Sequence, residues 1–261
     1  MKAETEKKLE KLRTDIAKFE SLLIFYSGGT DSTLLAAIAK EQLKNRTEAV
    51  LFKSAAFPQK LLAEACNCAS VIGIKLHLTD FFIFENPILV NNPENRCYVC
   101  KKNMISQALA LACERGISAV ADGSQTDDLK TYRPGRQALK EGGVYSPLEK
   151  AMLNKREIRE ISSAMKLPNW NQPSSSCLMT RFPHRERLTA ENIKKIEVAE
   201  DFLKDLGFKY FRVKHHGDIV RLSLGAEETV CAFGQYRDKI IIFFKSLNYM
   251  YVTVDIEERD E

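Results

Sequence analysis

The chain lacks any long apolar run: nothing approaches the ~18 consecutive apolar residues that a membrane-spanning helix needs, and the opening "MKAETEKKLEKLRTD" is too charged for a signal-peptide core. No membrane association is expected, and the cytoplasm is the expected compartment. There is no long Lys/Arg run and the net charge is only +4, so nucleic acid is not the expected partner, whereas an anionic small ligand fits. Internal repeats and low-complexity segments are absent. An odd count of seven cysteines without export signals argues against a disulfide framework and leaves metal or thiol chemistry to be weighed. Two familiar phosphate-binding signatures, GxxxxGK[ST] and GxGxxG, are missing as well. What is present is the profile of a globular chain: 261 residues, 44% hydrophobic and 28% charged, enough for one large core or two modest ones.

Leu9, Leu12, Ile16 and Phe19 recur at helical spacing and predict an amphipathic helix over residues 1–20. "SLLIFY", a helix from about Ser32 to Lys44 and "EAVLFKS" then form a β-α-β unit. The alternation continues with a helix near 58–72, the strand "IKLHLT", a polar stretch "NNPENRCYVCKK", a helix to about Arg115 and the strand "SAVADG". This order predicts an α/β fold with a parallel sheet and helices on both faces, whose ligands sit at the C-terminal strand ends. A helix near 154–166 precedes "LPNWNQPSSSCLMTRFPHRER", rich in Pro, Ser and Asn and read as a domain junction. Beyond it, Thr189 caps a helix with Ile193, Ile196, Ala199, Phe202 and Leu203 on one face. Strands "YFRVKHH" and "IVRLSL", a helix from about Glu227 to Leu247 and a strand "MYVTVDIE" complete a smaller α+β domain. The expected division is 1–183 and 184–261.

At the end of the first strand stands "YSGGTDS". A strand-to-helix turn holds phosphate when backbone N–H groups point at the anion and side chains leave the approach open, which Gly28 and Gly29 allow. Ser27, Thr30 and Ser32 add hydroxyls, and the helix N-terminus adds field. The bland alternative is a Gly-Gly turn in which Asp31 only caps the helix. The complete string SGGxDS after an apolar strand resembles the PP-loop of the ATP pyrophosphatase superfamily, with its adenine nucleotide alpha hydrolase-like fold. The resemblance implies that ATP is split between its α and β phosphates, with AMP transferred to a carbonyl oxygen. It further implies that Ser27, Gly28, Gly29, Asp31 and Ser32 hold the pyrophosphate with Mg2+.

Cys97 and Cys100 form a CxxC at the start of a helix, where the dipole favours thiolate. Alone, the pair is compatible with redox, zinc, iron–sulfur or structural use; no thioredoxin-like context supports the first. Cys177, in a polar, turn-forming stretch, is the natural third partner. Cys66 and Cys68 lie two apart on a predicted helix and cannot both face one site, while Cys113 and Cys231 fall in helical patterns and read as small core residues. Three thiolates on a 4Fe-4S cluster leave one iron for an exogenous sulfide; His184 would instead complete a Cys3His zinc site.

"NRCYVCKK", "DGSQTDDLKTYRPGRQAL", "LPNWNQPSSSCLMTRFPHRERLT", "VAEDFLKDLGF" and "FRVKHHGDIVRL" together resemble the LarE family of sulfur transferases, over about residues 15–255. The resemblance implies adenylation of a carboxylate of a pyridinium-3,5-biscarboxylic acid mononucleotide and its replacement by a thiocarboxylate, in nickel-pincer nucleotide biosynthesis. One kind of LarE gives up the sulfur of a single cysteine at the position of Cys177. The other holds a 4Fe-4S cluster on three cysteines, and Cys97, Cys100 and Cys177 place this chain with it. By the same resemblance Lys101 assists sulfur transfer, Arg181 and Arg212 bind a phosphate of substrate or AMP, and Glu200 binds metal or assists chemistry. Asp127, Asp128 and Arg133 line the site. A sulfide donor and a homo-oligomer are implied partners. Two departures are visible: Thr180 stands where serine is common, and no acid is clearly placed near Cys231. The competing expectations are a PP-loop tRNA thiolation enzyme and a non-catalytic nucleotide-binding module with zinc.

Overall fold

A computed structural model describes residues 2–130 and 133–257. In chain order the elements are α1 (Ala3–Ala17), β1 (Leu22–Phe25), α2 (Thr30–Leu43), β2 (Thr47–Lys53), α3 (Gln59–Ile72), β3 (Lys75–Asp80), α4 (Pro87–Val90), α5 (Arg96–Glu114), β4 (Ala119–Asp122), α6 (Pro134–Glu141), α7 (Pro147–Lys150), α8 (Lys155–Ala164), α9 (Ala190–Asp205), β5 (Phe211–His216), β6 (Ile219–Leu224), α10 (Ala226–Phe233), α11 (Arg237–Ser246) and β7 (Tyr251–Val254). They divide into two compact units. The first comprises residues 1–54, 59–81 and 95–172; the second comprises 55–58, 82–94 and 173–261.

The first unit is the expected α/β layer. Its four strands run parallel in the order β3-β2-β1-β4, with Leu22 opposite both Thr47 and Ala119. Every residue of β1 is buried, as a central strand covered by helices requires, whereas no residue of β3, at the edge, is buried. Helix α1 buries Leu9, Leu12 and Ile16 as their spacing predicts. Phe19 lies past its end and packs edge-on against Tyr145, with ring centroids 5.0 Å apart. Among the described residues no helix is long and apolar enough to cross a membrane.

The second unit is α+β, with a three-stranded sheet in the order β5-β6-β7: β5 antiparallel to β6, and β6 parallel to β7. Ile193, Ile196, Ala199 and Leu203 of α9 are buried, and Phe202 stacks on Phe243 at 3.7 Å. The single helix expected over 227–247 is two. Gly234 ends α10, its N–H on Val230 O at 3.0 Å, and α11 restarts after Tyr236. Glycine is the weakest helix former after proline, and the Tyr236 ring packs on Phe208 instead of continuing the axis.

Candidate functional site

In the first unit, the turn from β1 to α2 is set by a glycine that no other residue can replace. Gly28 has φ +74°, and a Cβ on it would fall 2.2 Å from the Cβ of Ala65 on α3. The loop therefore lies directly on α3. Its carbonyl accepts from Asn169 Nδ2 at 2.7 Å, and Asn169 also donates to Thr33 Oγ1 at 2.9 Å and accepts from Thr30 Oγ1 at 3.0 Å. Beneath them Tyr26, its pKa pushed up to about 12 by burial, shares a hydrogen bond with Thr33 and donates to Ala65 O. Because C=O and N–H of a trans peptide point in opposite directions, fixing the Gly28 carbonyl inward turns the Gly29 N–H outward. That N–H meets Ser27 Oγ at 3.4 Å, and Ser27 Oγ lies 3.1 Å from Ser32 Oγ. Exposed Ser27, half-buried Gly29 and buried Ser32 thus gather donors at the first turn of α2, the arrangement an anion needs.

The carboxylates around this turn are paired. Asp31 accepts from Lys155 Nζ at 2.7 Å, and each side chain is 28% exposed. Burial pushes the Asp31 carboxyl above its usual range, with Lys155 pulling it back down. Asp127 accepts from Lys130 Nζ at 2.7 Å and from the backbone N–H of Lys155 at 3.0 Å; these bonds, Lys130 first, hold its pKa below the usual value. Asp128 is buried, caps the turn at Gln125 and pairs with Arg133 at 2.7 Å. Thr131 and Tyr132 of the same motif lie outside the described residues. At the end of β4, buried Asp122 accepts from Ser124 and Ser146.

The CxxC opens α5, as expected. Cys97 is exposed, Cys100 half-buried, and Lys101 places its ammonium 4.3 Å from the centre of the Phe25 ring, at the end of β1. Cys68 is buried and Cys66 half-buried on α3. Cys113 departs from its reading as a core residue: it faces solvent on α5, and Cys231 is only half-buried. Helical spacing locates a position on the helix but does not say which side of an amphipathic surface a small thiol falls on.

In the second unit Arg181 and Glu200 meet. Arg181, 4% exposed, donates through Nε to Glu200 Oε1 at 2.5 Å, through Nη2 to Oε2 at 3.3 Å, and through Nη1 to Ser176 and Thr180 at 2.7 and 2.8 Å. Glu200 also accepts from the Val213 N–H at 3.1 Å. Arg212, on β5 beside them, keeps a buried Nε with no hydrogen-bond partner. Burial first, then the Arg181 charge, lower its pKa, with Glu200 opposing. Glu200 pairs with Arg181 and acts on Arg212 only through its charge, leaving an unmet donor on Arg212. Cys177 is exposed just before this cluster; its carbonyl accepts from Thr180 Oγ1 at 2.7 Å. Threonine does here what a serine hydroxyl would. His184 is exposed on the same loop.

Among the described residues no three His, Cys, Asp or Glu side chains are gathered as a metal site. Sequence reasoning did not single out Lys155, Asn169 or Asp122. Only Asn169 had a local signal, the turn-rich "LPNWNQP".

No protein-family model matches the chain. It is 37% identical over 254 residues, 97% of its length and 94% of the relative's, to an uncharacterized protein of Synechocystis sp.. It is 28% identical over 96% of both chains to an uncharacterized protein of Methanocaldococcus jannaschii. A third relative carries a functional name, the pyridinium-3,5-bisthiocarboxylic acid mononucleotide synthase of Lactiplantibacillus plantarum, of which the match covers 86%. With 32% identity to that synthase across 91% of its own length, the chain belongs to the LarE family.

Proposed function

We propose that the chain is an ATP-dependent sulfur transferase that converts a pyridinium-3,5-biscarboxylic acid mononucleotide to its thiocarboxylates, in biosynthesis of the nickel-pincer nucleotide. The observation that carries the reading is the SGGTDS loop of a LarE-family chain, folded with its donors gathered at the C-terminal end of β1. In this reading Ser27, Gly28, Gly29, Asp31 and Ser32 hold the pyrophosphate of ATP with Mg2+, and Asp127 and Arg133 line the same site. Substrate carboxylate attacks the α-phosphorus and pyrophosphate leaves. The step is chemically sensible because a carboxylate oxygen leaves poorly and AMP leaves well.

Arg212 supplies the donor for a substrate or AMP phosphate. Its orphaned, buried Nε is the group such a bond would satisfy. Arg181, locked by Glu200, adds positive field beside it. Lys101 of α5, its ammonium over Phe25 at the end of β1, supplies a cation for the sulfur-transfer step. By the family resemblance, Cys97, Cys100 and Cys177 are the proposed ligands of a 4Fe-4S cluster. When bound, such a cluster supplies an iron with no protein ligand, at which an external sulfide can be held.

Anaerobically purified protein given substrate, Mg2+-ATP and sulfide is expected to yield AMP, pyrophosphate and thiocarboxylate over several turnovers, with Cys177 intact by mass spectrometry. Conversion of Cys177 to dehydroalanine would establish the sacrificial route instead. Cys97→Ala, Cys100→Ala and Cys177→Ala should each lose iron, whereas Cys113→Ala should not. A colourless protein that holds zinc, and loses it in His184→Ala, contradicts the cluster.

A further inference from the structure

Lys155 is an odd residue for its place. It opens α8, where a cation opposes the helix dipole, while Asn154 and Glu157 form the capping box that this end requires. The first turn is satisfied without a lysine, so helix stability does not account for it. Its position is nevertheless fixed twice. The backbone N–H is held by Asp127 at 3.0 Å, and the ammonium lies 2.7 Å from Asp31, the second residue of α2. The neighbouring loop after β4 abuts that turn so closely that a Cβ on Gly123 would sit 3.0 Å from the Ser32 nitrogen. Lys155 thus projects its charge to the turn where Ser27, Gly29 and Ser32 gather their donors. The PP-loop itself contains no lysine, unlike a Walker loop.

Resting on the nucleotide-site reading above, we infer that Lys155 is the loop's missing lysine: a phosphate-binding cation delivered from α8, which shares Asp31 with the metal. Mg2+ and the ammonium compete for Asp31 Oδ1, so a metal taken up through that oxygen displaces the ammonium. The released ammonium is tethered beside the α2 N-terminus, where the phosphate oxygens of a nucleotide held by the loop would be its acceptors. No covalent bond changes in this exchange; the ammonium swaps a carboxylate for a phosphate oxygen, so Lys155 belongs to the binding machinery and not to the acyl chemistry.

The inference gives two effects of opposite sign. Lys155→Met should weaken binding of Mg2+ with a non-hydrolysable ATP analogue by about tenfold or more, the scale of one charge-assisted hydrogen bond. It should also tighten binding of Mn2+ alone, followed by electron paramagnetic resonance, since Asp31 no longer has an ammonium to displace. Lys155→Arg should keep most of the nucleotide affinity. As a second handle, Asp31→Asn should bind metal-free pyrophosphate more tightly than the unaltered chain, and adding Lys155→Met should remove that gain. Unchanged nucleotide affinity in a folded Lys155→Met protein overturns the inference while leaving the nucleotide site standing. If the unaltered chain binds no Mg2+-nucleotide, the nucleotide site falls and this inference with it.

Discussion

In the first unit the candidate anion site is built mainly from main chain: the Gly29 N–H, the first turn of α2 and two serine hydroxyls, aimed by a glycine pressed onto Ala65. In the second unit the donors are side chains: Arg181, oriented by one carboxylate and two hydroxyls, and Arg212, whose buried Nε has no hydrogen-bond partner. The two constructions fail differently. A backbone site depends on the conformation of a few consecutive residues, so a single methyl group can destroy it. A guanidinium site depends on charge balance among residues far apart in sequence, so it is sensitive to the removal of a partner.

The comparison is broken or sharpened most by Gly28→Ala. The substitution adds a clash at 2.2 Å and a positive-φ side chain, so it should destabilise the protein by roughly 3 kcal/mol and abolish nucleotide binding. Gly29, with negative φ and nothing nearer its Cβ position than Ser27 Oγ at 3.5 Å, should tolerate alanine at a cost below about 1 kcal/mol. Chemical denaturation and nucleotide titration check both. Equal losses would mean that the loop is not conformation-limited. In the second unit, Glu200→Gln strips the charge from the partner of a buried guanidinium and should cost about 2 kcal/mol, with nucleotide binding unchanged. Arg212→Met should leave stability nearly intact but raise the KM for the mononucleotide by roughly tenfold or more, the scale of a lost charge-assisted bond.

The smallest effect concerns pH. His215 lies buried between Tyr249, at 2.8 Å, and Glu186, at 3.2 Å, and burial, followed by Lys195 and His216, lowers its pKa from 6.5. The native state therefore binds fewer protons than the unfolded chain as pH falls through 6.5. Stability that this site contributes above that value should decline toward the lowered pKa, and His215→Gln should flatten the dependence seen in denaturation midpoints.

The parallel sheet of β1 to β4, the burial face of α1 and the glycine loop were legible because each rests on a contiguous pattern: an apolar run, a helical spacing, a fixed string. The guanidinium site was not legible from local pattern. Glu200 in isolation reads as a helix-surface glutamate, and only the resemblance connected residues 181, 200 and 212; the fold shows Glu200 beneath Arg181. Lys155 and Asn169 were missed for the same reason. Each acts on the loop from more than a hundred residues away, as the separations of 124 and 141 positions from Asp31 and Gly28 record. Segments 55–58 and 82–94 join the second unit through backbone bonds such as Leu178 N–H to Ala56 O and Leu188 N–H to Val90 O, which leave no mark in composition.

The central claim is a division of labour: residues of the first unit activate the carboxylate, and Cys177 of the second belongs to sulfur delivery. Carboxylate-dependent exchange of labelled pyrophosphate into ATP isolates the activation step. The account predicts that folded Cys177→Ala retains this exchange while forming no thiocarboxylate, and that Gly28→Ala loses both. Loss of exchange in a folded, nucleotide-binding Cys177→Ala protein would contradict it.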